Sequence, residues 1–439
     1  MAATPACSEL IDSTTGGHLW ADRYDRDFSN IFTLQNEVIA QIVSALEVRL
    51  GVSEQARLAR EPTNNLDAYD LYLRAEQARH SFTWRGIGVA FGYYDRAISL
   101  DPDFAEAHAG YAHMATEFLR RPDGNFTLPA DVARKRGYES VTRALSLDPA
   151  LARAHSVLGV LHMLDGQYEE AVESARKAVA LNSNSTFAYV NLALVLTHAG
   201  RQAEAIPAME AALRLEPNPP EDVLFAWGRV LFMNQDYAQA LNVLQRTQGP
   251  QHRENWIGNN RMLLAMTYVE LGQVEQARKP LEVVLRTPAT KWWNVSYFRV
   301  LWAHHKHTAD LDHQLDALRK AGIPEWPLGY QDVTGERLSN RELQELVIGR
   351  TWLGRSQSRY KTFAQKTDEA GNVSYFAHGR SWEGKASVEG DMLCYQIPAL
   401  LMGRKFCGAV YRNPHGTAEE RNEYIAVDVF DVHHFSPRS

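Results

Sequence analysis

The chain is short of several features that mark common classes of protein. It has only three cysteines in 439 residues, so at most one disulfide can form and a disulfide-stapled scaffold is excluded. No apolar run approaches the ~18 residues that cross a bilayer as a helix, so we predict no direct membrane insertion. Residues 1–10 contain neither a basic residue nor an apolar stretch, so we expect no signal peptide.

Basic charge is also scarce. The chain carries 46 Lys and Arg against 53 Asp and Glu, which gives a formal net charge of −7. Proteins that bind nucleic acid usually present a basic stripe to the phosphates, so we expect no nucleic acid among the partners. Hydrophobic residues make up 45% of the chain, which is enough for extensive cores. A chain of this length is expected to form two or three folded units.

Motifs for catalysis and cofactor binding are missing or broken. There is no Gly-x-Ser-x-Gly elbow and no Cys-x-x-Cys. Residues 379–386 mimic a phosphate-binding loop, but Ala386 replaces the hydroxyl that would hold magnesium and no helix is predicted after it. Four histidines cluster in sequence without a carboxylate or cysteine at the spacing of a tetrahedral site: His304, His305, His307 and His313. We therefore predict a non-enzymatic protein with no catalytic residue, no metal and no cofactor.

A repeat of ~34 residues occupies the middle of the chain. Pro149 and Pro217 bracket two such periods. Small residues recur at matching offsets in the two periods: Gly159, Ala171 and Ala178 in the first, and Ala193, Ala205 and Ala212 in the second. Small residues allow the backbones of two packed helices to approach closely. The pattern predicts an α-solenoid of about six helix-turn-helix units over residues 66–322.

Both ends of the chain show a different pattern. Residues 8–26 predict a β-hairpin and residues 34–50 a helix, which together form an incomplete N-terminal domain over residues 1–60. Residues 345–439 alternate in short stretches between turns, which predicts a small antiparallel β-meander domain. The predicted fold class is therefore mainly α, a solenoid with a C-terminal β-domain and a short N-terminal hairpin and helix.

Cys394 and Cys407 fall in neighbouring predicted strands. The residues leave two alternatives open, which are buried thiols in a reducing compartment and a disulfide in an oxidising one. Tyr360, Tyr375 and Tyr395 of the same domain either line a ligand cavity inside a β-barrel or form an ordinary core. Four tryptophans are expected to pack between the last repeats and this domain rather than to form a ligand cage: Trp292, Trp293, Trp302 and Trp326.

The small-residue pattern resembles the tetratricopeptide repeat, most closely over residues 152–219. The resemblance implies a scaffold that holds a protein or peptide segment in a concave groove lined by the first helix of each unit. Carried over residue by residue, it implies an apolar groove formed by Ser156, Val160, Met163, Phe187, Val190, Leu194, Thr197, Phe225, Arg229, Phe232, Met262, Met266 and Val269. The alternative is that the chain's own end segment or flanking domains fill the groove. No pattern predicts an oligomeric state.

Residues 10–38 resemble the end of a TolB-like domain that precedes tetratricopeptide arrays in bacterial membrane-bound class III adenylate or guanylate cyclases. The chain contains no cyclase domain, so the resemblance assigns it no cyclase activity. It implies instead the sensory or regulatory C-terminal portion of such a cyclase, located in the periplasm, where a disulfide between Cys394 and Cys407 is natural. If Met1 is the true start, we expect a cytoplasmic scaffold.

Overall fold

A computed structural model describes residues 6–11, 17–24, 31–45, 61–80, 84–120, 128–247, 254–287, 290–291, 293–331, 337–357, 361–377 and 379–438. The chain divides into two compact units, Met1–Leu66 and Asp67–Ser439. Within the described residues, every helix is too short or too polar to cross a bilayer.

The first unit contains a β-hairpin and a helix. Strands β1 (Ala6–Ile11) and β2 (His18–Tyr24) pair in antiparallel fashion. Helix α1 spans Ile31–Ala45, so it begins three residues before the predicted start, and the predicted last turn at 46–50 lies outside the described residues. The hairpin and helix predicted for this end of the chain are therefore confirmed.

The second unit begins with paired antiparallel helices. The six repeats consist of α2 (Leu66–Arg79) and α3 (Trp84–Leu100), α4 (Ala105–Leu119) and α5 (Ala130–Leu147), α6 (Ala152–Leu164) and α7 (Tyr168–Leu181), α8 (Thr186–His198) and α9 (Gln202–Leu215), α10 (Glu221–Met233) and α11 (Tyr237–Gln245), and α12 (Glu254–Glu270) and α13 (Val274–Arg286). The predicted solenoid is therefore confirmed.

Small residues lie where the two helices of a repeat cross. In repeat 3, a Cβ atom added to Gly159 would lie 2.9 Å from the carbonyl oxygen of Ala171 and 3.1 Å from the amide nitrogen of Ala175. Ala193 occupies the equivalent position in repeat 4 and is fully buried. These contacts explain the period in the sequence, because a larger side chain at the crossing would force the helices apart.

The array continues past repeat 6 with a shorter pair of helices, α14 (Val295–Leu301) and α15 (Thr308–Ala321). The sequence of this pair lacks the small residues of the earlier repeats because aromatic side chains fill the contact. Trp293 packs edge-on against Phe298 at 5.3 Å between ring centroids, and Phe298 contacts Trp302 at 4.7 Å. Trp292 lies outside the described residues.

The C-terminal region forms a closed eight-stranded antiparallel barrel preceded by a short helix. Helix α16 spans Asn340–Val347. The strands are β3 (Thr351–Ser356), β4 (Thr362–Thr367), β5 (Asn372–Ala377), β6 (Arg380–Glu389), β7 (Met392–Gln396), β8 (Phe406–Arg412), β9 (Tyr424–Val427) and β10 (Val432–Arg438). Each strand pairs with its neighbour in sequence, and β10 pairs with β3 to close the barrel.

The barrel extends the predicted meander in two respects. The meander becomes a closed barrel, and three strands complete it that the alternation did not indicate: β3, β6 and β10. Strand β6 contains the sequence that mimics a phosphate-binding loop, so those residues form an extended strand. This strand was not predicted because most of its side chains are exposed or half-buried, so its sequence shows no clear alternation of apolar and polar residues.

The barrel and the array contact each other through polar and aromatic groups. Arg404, in the β7–β8 loop, donates hydrogen bonds to the carbonyl oxygens of Leu301 (2.9 Å) and Leu164 (3.2 Å). The Asn294 amide donates to the carbonyl of Val429 at 3.0 Å. Trp326 packs on the outside of the barrel, beside Tyr411. These contacts position the barrel at the end of the helical array.

Cys394 and Cys407 are directly paired residues of strands β7 and β8, and the structure joins them in a disulfide with an S–S distance of 2.05 Å. The bond lies on the outer side of the barrel wall, since the neighbouring Tyr395 and Phe406 rings contact each other inside it. Of the two alternatives for these cysteines, the structure contains the disulfide.

Candidate partner-binding groove

The first helices of repeats 2, 4 and 5 curve around a concave pocket of about 130 Å³. The curvature is tight enough to bring repeat 2 against repeat 4, since the rings of His113 and Phe187 lie 4.7 Å apart. Arg79, from repeat 1, also reaches this space. We call it the inner pocket, and it is lined by Arg79, Ile87, His113, Met114, Glu117, Arg120, Phe187, Val190, Asn191, Leu194, Thr197, Met209, Asp222, Phe225, Ala226, Arg229 and Val230.

A second pocket of about 80 Å³ adjoins the inner one. It lies between the first helices of repeats 4, 5 and 6 and the final pair α14–α15. Four residues line both pockets: Arg120, Thr197, Phe225 and Arg229. We call the second space the outer pocket, and its further lining is His198, Met233, Asn259, Met262, Leu263, Met266, Trp293, Tyr297, Phe298, Leu301, Trp302, His304, His305 and Gln314.

The structure brings together part of the groove that the resemblance implied. Eight of the predicted residues line one or both pockets: Phe187, Val190, Leu194, Thr197, Phe225, Arg229, Met262 and Met266. Five others are buried and line neither pocket: Ser156, Val160, Met163, Phe232 and Val269. Ser156 accepts a hydrogen bond from the Asn191 amide at 3.1 Å, and Phe232 stacks on His313. The second group packs against neighbouring helices, so it presents no surface to a partner.

The final helical pair of the array occupies one side of the groove. The loop between α14 and α15 lies on the turns of repeats 3 and 4, where the Lys306 amide donates to the His198 carbonyl at 2.9 Å and the Tyr168 hydroxyl donates to the His304 carbonyl at 3.1 Å. Gly200 leaves room for His307, because a Cβ atom there would lie 2.2 Å from the imidazole. The outer pocket is therefore roofed by the chain itself, whereas the inner pocket is lined by the repeats.

Charged groups line the inner pocket together with its apolar residues. Three arginines face two carboxylates: Arg79, Arg120 and Arg229 against Glu117 and Asp222. The Arg120 guanidinium donates to Glu117 at 2.8 Å. Burial, reinforced by the nearby Arg153 and Arg79 charges, lowers the pKa of His113 to about 3, so that ring is neutral at physiological pH. The pocket therefore combines aromatic and aliphatic walls with a lining that contains both arginines and carboxylates.

Three histidines from distant segments meet beside the outer pocket. The ring centroid of His198 lies 4.4 Å from that of His304 and 4.2 Å from that of His305. Burial holds the pKa of His198 and of His304 well below the ordinary value and lowers the pKa of His305 to about 3. Over the described ranges, no group of three or more His, Cys, Asp or Glu side chains is arranged to hold a metal ion. The cluster is thus a set of neutral, packed imidazoles.

The polar residues that repeats 1 and 2 contribute to the inner pocket were not predicted from the sequence. Arg79, His113, Glu117 and Arg120 line the inner pocket, yet the groove positions were carried over from repeat 3 onwards. The two early repeats match the period loosely, and repeat 2 is stretched by the segment between α4 and α5. These residues could have been predicted by treating α4 as the first helix of repeat 2, because its residues face the same groove as those of α8.

Two family models match segments of the array. The family described as Tetratricopeptide repeat matches residues 152–185, which contain repeat 3. The family described as Anaphase-promoting complex, cyclosome, subunit 3 matches residues 198–284, from the end of the first helix of repeat 4 into the second helix of repeat 6. Both matches coincide with helical pairs whose small residues lie at the crossings.

Similar proteins match over limited segments. Putative adenylate cyclase 3 of Rhizobium meliloti (strain 1021) is 40% identical over 118 residues, which are 27% of this chain and 20% of that protein. TPR repeat-containing protein YpiA of Bacillus subtilis (strain 168) is 24% identical over 196 residues, 44% of this chain and 41% of that protein. Each match therefore spans well under half the length of the curated relative.

Among solved structures, PilF of Pseudomonas aeruginosa is 20% identical, with a TM-score of 0.35, and the match covers 50% of this chain and 91% of that one. A TM-score of this size does not support an inference about function. The repeat matches and the observed helical pairs agree on the central array. The central array of this chain therefore contains tetratricopeptide repeats, and a segment of the chain resembles a putative adenylate cyclase.

Proposed function

We propose that this protein is a non-enzymatic scaffold that binds a segment of a partner protein in the inner pocket. The observation that carries the proposal is the lining of that pocket, where the half-buried rings of Phe187 and Phe225 stand beside Arg120 and Arg229. Aromatic and arginine side chains supply most of the binding energy at many protein interfaces. Helix-lined grooves of this kind suit a segment that inserts apolar side chains.

The charges of the inner pocket specify the chemistry of that segment. A chain lying across both pockets passes Arg120, Phe225 and Arg229, because these residues line both spaces. The residues that line both pockets include two arginines and no carboxylate. This composition favours a carboxylate on the partner at this point, and an arginine offers it two parallel hydrogen bonds. The partner segment should therefore carry an apolar side chain for the Phe187–Phe225 wall next to an acidic residue.

The test is a selection from a displayed library of random 12-residue peptides on the purified chain, followed by fluorescence polarisation with the selected sequences. We expect enrichment of peptides with an acidic residue next to aliphatic or aromatic residues. Phe225→Ser and Arg229→Gln should each weaken binding by at least about tenfold, because truncation of an anchor residue typically costs 1 to 2 kcal/mol or more.

A matched control comes from the convex side of the array. Val283 in the second helix of repeat 6 is an exposed apolar residue that lines neither pocket, so Val283→Ser should leave peptide affinity unchanged. Urea unfolding of each variant checks that the fold is intact. The proposal fails if no sequence class is enriched, or if the pocket variants bind the selected peptides as tightly as the parent chain.

We also propose, as a second function, that the chain regulates an adenylate cyclase. It is supported by the 40% identity to a putative adenylate cyclase over 118 residues. The same array would then bind a segment that controls the catalytic part. The test is to read the DNA upstream of Met1, where an open frame encoding a membrane helix and a catalytic domain supports this function. A stop codon and a ribosome-binding site directly upstream would contradict it.

A further inference from the structure

The outer pocket is bounded by side chains of two different kinds. Helix α10 contacts both α8 and α12, and the pocket is lined from all three helices. Met262 and Met266 of α12 supply apolar side chains. Arg229 of α10, His198 at the end of α8 and His305 of the α14–α15 loop supply polar ones. Ligand sites typically combine apolar walls with a few convergent polar groups, and this pocket has both.

Two buried imidazole nitrogens in this lining lack a hydrogen-bond partner. They are His198 Nδ1 and His305 Nδ1, which find no partner among the described residues. The two side chains are only 3% and 8% exposed. Buried polar atoms in folded proteins are nearly always satisfied by protein, water or a ligand. Both histidines border the outer pocket, so a molecule held there is placed to bond to them.

The hydrogen bonds of His305 fix the position of its proton. Gln314 Nε2 lies 3.1 Å from the Asp310 carbonyl oxygen and 3.2 Å from His305 Nε2, so the amide donates to both and the ring accepts at Nε2. A neutral imidazole that accepts at one nitrogen carries its proton on the other, which makes His305 Nδ1 a donor. The His198 ring lies 4.2 Å from the His305 ring between centroids, so both unpartnered nitrogens belong to one part of the pocket.

The charge of the lining favours an anion. Among the residues that line the outer pocket, Arg120 and Arg229 are cationic and none is a carboxylate. Burial lowers the pKa of His198 and of His305, and the nearby Arg229 charge lowers both further. The imidazoles therefore stay neutral beside a positive charge. A carboxylate placed there would accept charge-assisted hydrogen bonds, which are stronger than those between neutral groups.

We propose that the outer pocket binds a small aliphatic carboxylate of the size of propionate. Its carboxylate accepts hydrogen bonds from the Arg229 guanidinium and from His305 Nδ1, and its short chain lies against Met262 and Met266. His198 can present a second N–H, because a neutral imidazole carries its proton on either nitrogen. A cavity of about 150 Å³ holds benzene. The outer pocket of about 80 Å³ therefore suits a smaller molecule, with about four or five non-hydrogen atoms.

This ligand site does not depend on the proposed partner. The α14–α15 loop roofs the outer pocket, whereas the Phe187 ring of the partner groove lines only the inner one. Arg120 and Arg229 line both pockets, so a bound carboxylate and an acidic partner segment would compete for them. Only that competition rests on the proposed function.

The test is ligand-observed saturation-transfer NMR of the purified full chain at neutral pH and constant ionic strength, with formate, propionate and propionamide. We expect propionate to saturate with a Kd below about 5 mM. Formate should bind at least about fivefold more weakly, because it lacks the chain that lies on the methionines. Propionamide should bind about tenfold more weakly, because a donor gains more from a charged acceptor than from a neutral one.

Arg229→Gln and His305→Phe each remove a donor to the carboxylate, and each should weaken propionate binding by about fivefold or more. His305→Phe keeps a flat ring, and Gln314 keeps its bond to the Asp310 carbonyl. Arg278→Gln is the matched control, because Arg278 is exposed on α13 and lines neither pocket, so it should leave the affinity unchanged. Urea unfolding checks the fold of each variant, and Arg229→Gln, at a half-buried residue, is the milder change.

Three outcomes would overturn the proposal. The first is that propionate does not bind the parent chain, in which case water satisfies the two imidazoles. The second is that formate or propionamide binds as tightly as propionate, which would remove the apolar chain or the charge from the recognition. The third is that folded Arg229→Gln and His305→Phe variants keep the parent affinity, which would place the binding elsewhere. No peptide enters these measurements, so their failure leaves the partner groove untouched.

Discussion

Two kinds of residue are expected to have large effects on the stability of this array. The first kind lacks a side chain where two helices cross, and the second carries a charge that is buried between helices. Gly159 belongs to the first kind, since backbone atoms of α7 occupy the space that a Cβ atom would need. Arg153 belongs to the second kind. Its guanidinium donates to Glu76 at 2.6 Å and thereby links repeat 3 to repeat 1 across the intervening repeat.

Gly159→Ala should destabilise the protein by about 1 to 3 kcal/mol, because the added methyl group meets backbone atoms that can move only if the helices separate. Gly88→Ala is the matched control, since Gly88 also lies within a helix but has no atom within 4 Å of the added Cβ. That change should stabilise the protein by up to about 1 kcal/mol through helix propensity. Equal shifts of the urea midpoint for the two variants would contradict this account.

Glu76 should give the array a dependence on acidic pH. Burial raises the pKa of this carboxyl, but Arg153, Arg79 and the Tyr94 hydroxyl oppose burial and lower it from 4.5 to about 2. A depressed carboxyl pKa stabilises the fold fully above pH ~4.5, and this stability is lost as the pH falls towards 2. Its size is about 3 kcal/mol at neutral pH, from ~1.4 kcal/mol per pKa unit.

Glu76→Gln should therefore lower the free energy of unfolding by about 3 kcal/mol at pH 7 and by much less near pH 3. Urea unfolding at both pH values measures the difference. Glu275→Gln is the control, because Glu275 forms an exposed pair with Arg278 and exposed pairs contribute little. A loss from Glu76→Gln that is the same at both pH values would show that the ionised carboxylate is not the cause.

At the scale of elements, the contact between α8 and the α14–α15 loop holds the final helical pair on the groove. It is made by the histidine cluster, together with the hydrogen bond from the Lys306 amide to the His198 carbonyl. Neutral imidazoles pack like other apolar rings, but they keep a strong tendency to take up a proton when the chain unfolds. The contact is therefore stable only where the histidines are neutral.

The histidine cluster should make the fold sensitive to mild acid. Burial lowers the pKa of His198, His304 and His305, so the unfolded chain binds protons that the folded chain does not. Stability is full above pH ~6.5 and is lost as the pH falls through that value, by up to about 1.4 kcal/mol per pH unit for each histidine.

The free energy of unfolding should fall by about 4 kcal/mol between pH 7.5 and 5.5 through these three groups. His305→Gln should reduce the slope against pH by about one proton while keeping a polar side chain beside Gln314. Urea titrations at half-unit pH intervals measure the slope. An unchanged slope in this variant would mean that His305 is not neutral in the folded protein.

At the scale of the whole molecule, one buried cation makes several of the contacts between the barrel and the array. Arg404 extends from the β7–β8 loop to the carbonyl ends of α6 and α14, where a positive charge complements the helix dipoles. Burial lowers the pKa of this guanidinium to about 10, which still leaves it charged at neutral pH. Among the described residues, this charged group bonds to carbonyl oxygens and forms no ion pair with a carboxylate.

Arg404→Met should weaken the contact by about 3 kcal/mol, since several hydrogen bonds from a charged donor are lost together. We expect earlier proteolytic cleavage between α15 and β3 and two separate thermal transitions in place of one. Arg404→Lys keeps the charge with fewer directed donors, so it should give an intermediate result. A variant with methionine that resists protease as well as the parent chain would show that the other contacts suffice.

The helical array was predictable because its determinants are local. Gly159 and Ala193 are 34 residues apart, as are Ala171 and Ala205, and these buried small residues lie where helices adjacent in sequence cross. The groove was predictable in part for the same reason, since Phe187 and Phe225 occupy equivalent faces of successive first helices. Short-range spacing was therefore sufficient for the fold class and for part of the partner surface.

The remaining features depend on residues far apart in the chain. Barrel closure pairs β10 with β3, the arginines of repeats 1 and 2 enter a pocket beside repeat 5, and the α14–α15 loop covers the outer pocket. No periodicity encodes these contacts, because they follow from the curvature of the whole array and from the order in which the strands close. The amino-acid pattern alone thus established the repeating unit, whereas tertiary packing decided which groove residues stay accessible and which charges surround them.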